Sequence, residues 1–166
     1  MEIERKYLVS EKDLPVDLES YDSHELEQAY IITNPVLRVR KKDDKYILTY
    51  KGEGFMTREE HEFPLNEEAY KTLLGKADGM VISKTRYLIP EKNNLTIELD
   101  VFHRELNGLY LAEVEFENEE SANSYVAPDW FGRDVTNEGT YHNSSLSKLS
   151  SAQAYELIEK TKSSAY

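Results

Sequence analysis

Charged residues recur two apart between positions 2 and 115: Glu2/Glu4/Lys6, Arg38/Arg40, Glu60/Glu62, Lys84/Arg86, Glu98/Asp100 and Glu113/Glu115. A strand turns alternate side chains to opposite faces, so each pair shares one face. Singly, such a pair is the ordinary solvated side of a half-buried sheet. Here the alternate positions hold Ile3, Val39, Ile97, Leu99, Val101, Ala112 and Val114. If helices cover that apolar face from outside, the charged face turns inward and lines a barrel. With Lys51 the set holds eight acids and six bases, leaving 24 acids and 14 bases in the rest of the chain. Cations are therefore concentrated on the inward face. Enclosed charges must be compensated, because an unpaired buried ion costs several kcal/mol. A polyphosphate gripped by the bases, together with a divalent cation held by the carboxylates, satisfies both sets. Carboxylate oxygens are hard donors suited to Mg²⁺ or Mn²⁺, and same-face carboxylates on one strand lie about 7 Å apart, close enough to share one ion or hold two.

The elements that must position these groups follow from the same periodicity. Strands are predicted over Glu2–Val9, Glu25–Thr33, Pro35–Lys42, Lys45–Lys51, Arg58–Leu65, Val81–Ile89, Leu95–Phe102 and Tyr110–Phe116. Eight such runs imply a closed or nearly closed antiparallel sheet. Asp43-Asp44 and Lys92-Asn93-Asn94 read as hairpin connections, since Asp and Asn tolerate turn backbone angles. Asn66 can cap a helix in which Ala69, Leu73 and Leu74 recur, ending near Gly75. Ser121–Val126 and Ser147–Lys160 read as amphipathic helices joined by a loop from Asp129 to Tyr141. The class is α+β, with the helices packed outside the barrel.

The 166 residues suit one domain, taken as 1–161 with a frayed tail over 162–166. No cysteine is present, which excludes disulfides and thiolate chemistry and fits a reducing cytoplasm. A net charge of −12 argues against nucleic-acid binding, which needs a basic face. The N-terminus lacks the apolar stretch of a secretion signal or membrane span, so neither export nor membrane insertion is expected. Oligomeric state is left open. Gly75-Lys76 lacks the preceding glycine of a phosphate loop, and no His-Glu-x-x-His occurs.

The opening Glu2-Ile3-Glu4-Arg5-Lys6 resembles the Glu-x-Glu-x-Lys signature of the CYTH, or triphosphate tunnel metalloenzyme, superfamily. The resemblance continues through Gln28-Ala29-Tyr30-Ile31, Leu37-Arg38-Val39-Arg40, Thr49-Tyr50-Lys51-Gly52 and Arg58-Glu59-Glu60-His61-Glu62. It resumes at Lys84-Thr85-Arg86-Tyr87, Ile97-Glu98-Leu99-Asp100-Val101-Phe102 and Leu111-Ala112-Glu113-Val114-Glu115-Phe116, then at Trp130–Thr136 and Tyr141-His142-Asn143. It implies an eight-stranded antiparallel tunnel. The short bacterial members it is most similar to are inorganic triphosphatases, hydrolysing tripolyphosphate to pyrophosphate and phosphate with Mg²⁺ or Mn²⁺. Nucleoside triphosphates are a further substrate class it implies. Relatives include thiamine triphosphatases and class IV adenylyl cyclases, so the fold does not fix the reaction. Ala29 stands where glycine is frequent in that superfamily, a change that either narrows the tunnel mouth or does nothing.

The resemblance assigns Glu2, Glu4, Glu113 and Glu115 to metal, expected as two ions, with Glu60, Glu62 and Asp100 as nearby ligands or as groups that support the ligands from behind. Lys6, Arg38, Arg40, Lys51, Lys84 and Arg86 would grip the phosphates, with Arg133 as an additional contact. It also implies a Tyr30–Lys51 dyad that assists water attack; in the alternative mechanism the second metal activates the water and no side-chain base is required. An adenylyl cyclase would need residues that orient adenine and ribose, and none is identifiable. A silent polyphosphate-binding module would keep the bases and lose metal carboxylates, yet all four key glutamates are present.

Overall fold

The computed structural model of the chain describes residues 1–163. Positions 164–166 of the expected frayed tail lie outside the described residues, whereas Lys162 and Ser163 continue the last helix. The strands are β1 (Glu2–Leu8), β2 (Asp22–Thr33), β3 (Val36–Lys42), β4 (Lys45–Lys51), β5 (Thr57–Arg58), β6 (Glu60–Leu65), β7 (Asp78–Pro90), β8 (Thr96–Phe102) and β9 (Tyr110–Glu115). They form one antiparallel sheet in the order β5-β1-β9-β8-β7-β2-β3-β4-β6.

The two ends of that order are neighbours in sequence. Thr57 and Arg58 pair with Ile3 and Glu2, and from Glu60 onward the chain pairs with β4 instead. One run, expected as a single strand, thus changes partner and nearly closes the sheet into a barrel, which is why eight expected strands become nine. The Arg58 guanidinium donates to the Gly52 carbonyl at 3.0 and 3.1 Å, and Gly52 N–H donates to the Glu59 carbonyl at 2.9 Å, tying the switch in place. The rest of β1 would be an open edge with unpaired backbone groups. The segment 132–136 covers it: Leu8 N–H donates to Arg133 O at 2.9 Å, Gly132 N–H to Leu8 O at 2.7 Å and Val135 N–H to Lys6 O at 2.8 Å.

The turns follow their residue chemistry. Asp43 takes φ 53° between β3 and β4 while its carboxylate accepts from Glu25 N–H at 2.9 Å, and Asn93 and Asn94 take φ 57° and 59° between β7 and β8. Helix α1 (Glu67–Leu74) starts at the Asn66 cap, whose side chain accepts from Ala69 N–H at 2.7 Å. Helix α2 (Glu119–Ser124) starts earlier than expected because Asn118 caps it, accepting from Ser121 N–H at 2.8 Å. The expected helix 147–160 is displaced into α3 (Asn143–Leu146) and α4 (Ser151–Ser163). The break is a capping box, in which Ser150 N–H donates to Gln153 Oε1 at 2.9 Å and Gln153 N–H donates to Ser150 Oγ at 3.1 Å. Among the described residues no helix is long and apolar enough to cross a membrane.

Three apolar clusters result. Outside the wall, Ala29 and Val39 pack under Tyr70 of α1, while Ile3, Leu99, Ala112 and Val114 pack with Ala122 of α2. Ala29 therefore lies on the outer face and does not narrow the tunnel mouth. On the outer side of β6, Leu65 packs against the Tyr70 cluster, while Phe63 is 53% exposed. The third cluster departs from the expectation that all helices lie outside. Leu8, Ile82, Phe102 and Leu111 continue the inward rows of Lys6, Lys84, Asp100 and Glu113, and they pack against Leu146, Ala154 and Ile158 of α3 and α4. The barrel interior is charged at one end and filled with apolar side chains at the other, with α3 and α4 as its plug.

The plug meets the wall at Gly79, where φ is 79° and an added Cβ would lie 2.3 Å from the Ser147 carbonyl oxygen. Next to it, Met80 N–H donates to that oxygen at 2.6 Å. Gly79→Ala is expected to lower the unfolding free energy by about 1–3 kcal/mol in urea titration. Gly75→Ala, where the added Cβ meets nothing closer than 3.5 Å, should stay within about 0.5 kcal/mol of the parent.

Candidate active site

The charged end of the barrel holds a cavity of about 380 Å³. Strand β1 brings Glu2, Glu4 and Lys6 to it, β3 brings Arg38 and Arg40, and β4 brings Lys51. Glu60 and Glu62 come from β6, Lys84 and Arg86 from β7, Glu98 from β8, and Glu113 and Glu115 from β9. Antiparallel register sets these groups level across strands: Glu4 opposite Glu115, Lys6 opposite Glu113, Glu113 opposite Glu98, and Lys51 opposite Glu60. Tyr30 lines the cavity from β2.

Two of the expected site residues are placed differently. Asp100 is fully buried and does not line the cavity. Lys84 Nζ donates to its Oδ2 at 2.7 Å, and Arg86 donates through Nε at 2.7 Å and Nη2 at 2.9 Å, so its lone pairs are spent on holding bases. Arg133 is also absent from the lining. Its backbone is fixed along the edge of β1, and its side chain pairs with Glu138 at the surface.

The remaining charges divide into two walls. On the acidic side Lys51 Nζ donates to both Glu2 oxygens at 2.9 and 3.1 Å, and Lys6 Nζ lies 3.3 Å from Glu113. Burial raises the Glu113 carboxyl, but Lys6 and Arg86 outweigh it and hold Glu113 well below the usual range. Burial likewise opposes ionisation of Glu2 and is outweighed by Lys51. Glu4 forms no ion pair among the described residues. Burial, then the charges of Glu113 and Glu2, push it up to about 8. Glu60 is pushed up to about 7 by burial and by the hydrogen bond it shares with Glu2. This wall carries more carboxylates than its lysines neutralise.

The opposite wall has the converse shortage. Burial lowers Lys84 to about 7 in spite of Asp100. Burial and the like charges of Arg38 and Arg86 lower Arg40, which still stays protonated at neutral pH. Arg38 donates from Nη2 to Thr49 Oγ1 at 3.2 Å, while its buried Nε has no hydrogen-bond partner among the described residues. A buried donor left unpaired costs about 1–3 kcal/mol or more when charged. Arg38, Arg40 and Lys84 line the cavity with more N–H groups than the protein gives them acceptors, a shortage that an anion with several acceptor oxygens would meet.

Sequence reasoning assigned no role to the neutral groups that order this wall. Gln28, two residues before Tyr30 and on the same inward face, is fully buried. Its Nε2 donates to Tyr30 Oη at 3.1 Å and to Asn143 Oδ1 at 3.2 Å, and its Oε1 accepts from Arg40 Nε at 2.9 Å. A polar residue at the inward parity of β2 was a readable signal. Asn143 and His142 reach the cavity from the plug, where no strand periodicity marks them. Burial, with Lys6 and Arg58 nearby, lowers His142 to about 4, so its imidazole is neutral. No hydrogen bond joins Tyr30 to Lys51 among the described residues; Lys51 is committed to Glu2.

Residues 1–152 match the CYTH domain family. An inorganic triphosphatase of Nitrosomonas europaea is 36% identical over 148 residues, covering 87% of this chain and 95% of that protein. An inorganic triphosphatase of Acetivibrio thermocellus is 35% identical over 150 residues, covering 89% of this chain and 93% of its own length. A crystal structure of an inorganic triphosphatase superposes with a TM-score of 0.67 at 33% identity, covering 90% of this chain and 96% of that one. A nearly closed barrel with a two-walled charged interior, and sequence similarity running along almost all of it, have one reading: the chain belongs to the CYTH domain family.

Proposed function

We propose that the chain is a metal-dependent inorganic triphosphatase that converts tripolyphosphate and water to pyrophosphate and phosphate. The observation that carries this reading is the division of one cavity into a carboxylate wall short of cations and a basic wall short of an anion. The similarity to two inorganic triphosphatases supports it. The lining is predominantly charged, which suits an inorganic chain better than a nucleobase or another apolar group, so hydrolysis is preferred to cyclisation of ATP.

The donor set of the acidic wall is carboxylate oxygen alone, which fits a hard divalent cation such as Mg²⁺ or Mn²⁺. Among the described residues no three of these groups stand ready as a cage. That agrees with the habit of Mg²⁺ of taking one or two carboxylates and completing its shell from phosphate and water. Glu2, Glu4, Glu113 and Glu115 would hold two such ions, with Glu60 and Glu62 beside them. Bound there, a divalent cation supplies Lewis-acid neutralisation of charge on phosphate oxygens.

On this reading Arg38, Arg40 and Arg86 grip phosphate oxygens through planar guanidinium forks, and Lys6, Lys51 and Lys84 act as point charges. The substrate is thereby held for in-line displacement: water oxygen attacks the terminal phosphorus, the bond to the bridging oxygen breaks, and pyrophosphate leaves. Tyr30 accepts from Gln28, which leaves its own O–H to orient the attacking water. This role is preferred to proton relay with Lys51, whose ammonium is held by Glu2.

Phosphate release is expected from tripolyphosphate with Mg²⁺ or Mn²⁺, abolished by chelator and faster than from ATP, thiamine triphosphate or pyrophosphate. Cyclic AMP from ATP, or no turnover with either metal, would overturn the proposal. Glu4→Gln and Glu113→Gln should each lower kcat/KM by about 100-fold or more. Their stabilities should differ. At pH 7 Glu4→Gln replaces a carboxyl largely protonated in the free protein and should stay within about 0.5 kcal/mol in urea unfolding. Glu113→Gln strips Lys6 and Arg86 of a partner and should cost about 3 kcal/mol.

The raised carboxyls also set a pH dependence. Below about 7 to 8 Glu60 and Glu4 carry protons that a cation must displace, so apparent Mn²⁺ affinity should rise with pH through that window and level off above about 8. Calorimetric Mn²⁺ titration at a series of pH values measures this, and Glu4→Gln should flatten the rise.

A further inference from the structure

Asn143 opens α3, the part of the plug that faces the charged end of the cavity. Its Oδ1 accepts two hydrogen bonds, from Lys84 Nζ at 3.1 Å and from Gln28 Nε2 at 3.2 Å. Two donors on one oxygen leave only one orientation for the amide, so Nδ2 is turned away from both. That nitrogen has no protein partner among the described residues, and the side chain it belongs to lines the cavity. Through Gln28, whose amide is fixed in turn by Arg40 and Tyr30, the same oxygen is linked to two more groups of the basic wall.

We propose that Asn143 binds the phosphate lodged at the plugged end of the barrel through Nδ2, and that its Oδ1 positions Lys84 directly and Arg40 and Tyr30 by way of Gln28. This deepens the triphosphatase reading and rests on it. The ligand class follows from the donors that line the cavity there. Asn143 Nδ2 and the bases beside it, Arg38, Arg40 and Lys84, bring more N–H groups than the protein gives them acceptors, and a phosphoryl group brings several acceptor oxygens on one centre. A residue that only fastened α3 to the wall would have no reason to present a free N–H to the cavity. The consequence is that the C-terminal plug is part of the substrate site.

Asn143→Asp keeps an acceptor toward Lys84 and Gln28 while replacing the free N–H by a carboxylate oxygen. In steady-state assays with tripolyphosphate and Mg²⁺, it is expected to retain its thermal midpoint and to raise KM at least about 10-fold. Asn143→Ala should lower kcat/KM by about 10- to 100-fold, and adding Gln28→Ala should cost less than the product of the two single losses, because both act through one network. Leu146→Ala loosens the same helix without touching the network and should lower the thermal midpoint while leaving KM within about twofold. A folded Asn143→Asp protein with KM within twofold of the parent overturns the proposal, as does a Leu146→Ala protein whose KM rises as much as that of Asn143→Asp.

Calorimetric titration of tripolyphosphate without metal separates this proposal from the reaction it rests on. If the parent binds tripolyphosphate but hydrolyses no triphosphate, the triphosphatase reading fails; weaker binding by Asn143→Asp then still supports the phosphate contact, and unchanged binding overturns it. A parent that does not bind tripolyphosphate overturns both.

Discussion

Asp100 is the ion on which the charged interior rests. It is fully buried between Lys84 and Arg86 and accepts three hydrogen bonds of 2.7 to 2.9 Å from them. Two cations could not be packed side by side in a low-dielectric wall without such an anion beneath them, since an uncompensated buried charge costs several kcal/mol. Asp100 thereby fixes both bases in the wall of the cavity, where Arg86 also donates to Glu98 and Glu113 and Lys84 to Asn143. The result is a basic surface that is pre-arranged before any anion arrives, so little reorganisation is needed on binding.

The acidic wall is built on the opposite principle. Lys51 and Lys6 neutralise Glu2 and Glu113, and Glu4 is left among like charges with burial against it. The free protein carries this deficit as retained protons. On the proposed reading the acidic wall would exchange retained protons for a cation, and the basic wall would take up acceptor oxygens. The two shortages are opposite in sign, so a cation with a polyanion would meet both.

Closure makes both walls matter. The chain from Thr57 to Leu65 spans the seam between β1 and β4, and segment 132–136 covers the rest of β1. An open sheet would have exposed the same charges to water, where ion pairs contribute little. At the other end Leu8, Ile82, Phe102 and Leu111 fill the interior against α3 and α4. The plug thereby makes the charged cavity blind and delivers Asn143 to its inner end.

The sequence by itself determined which residues face inward, because strand parity is local and a period of two needs no tertiary information. It also determined where several elements begin and end: Asn66, Asn118, and the Ser150–Gln153 box cap their helices through bonds within four residues, and Asp43, Asn93 and Asn94 supply the turns. Parity says nothing about depth along the barrel axis. Glu98 and Asp100 share one face of β8, yet Glu98 lines the cavity and Asp100 is sealed below it. Nor can parity place residues outside strands, which is why Arg133 falls at the surface and Asn143 at the heart of the site. Depth, seam and plug depend on packing between segments distant in sequence, such as Glu2 with Arg58, Lys84 with Asn143 and Gln28 with Asn143, and only the tertiary structure decided them.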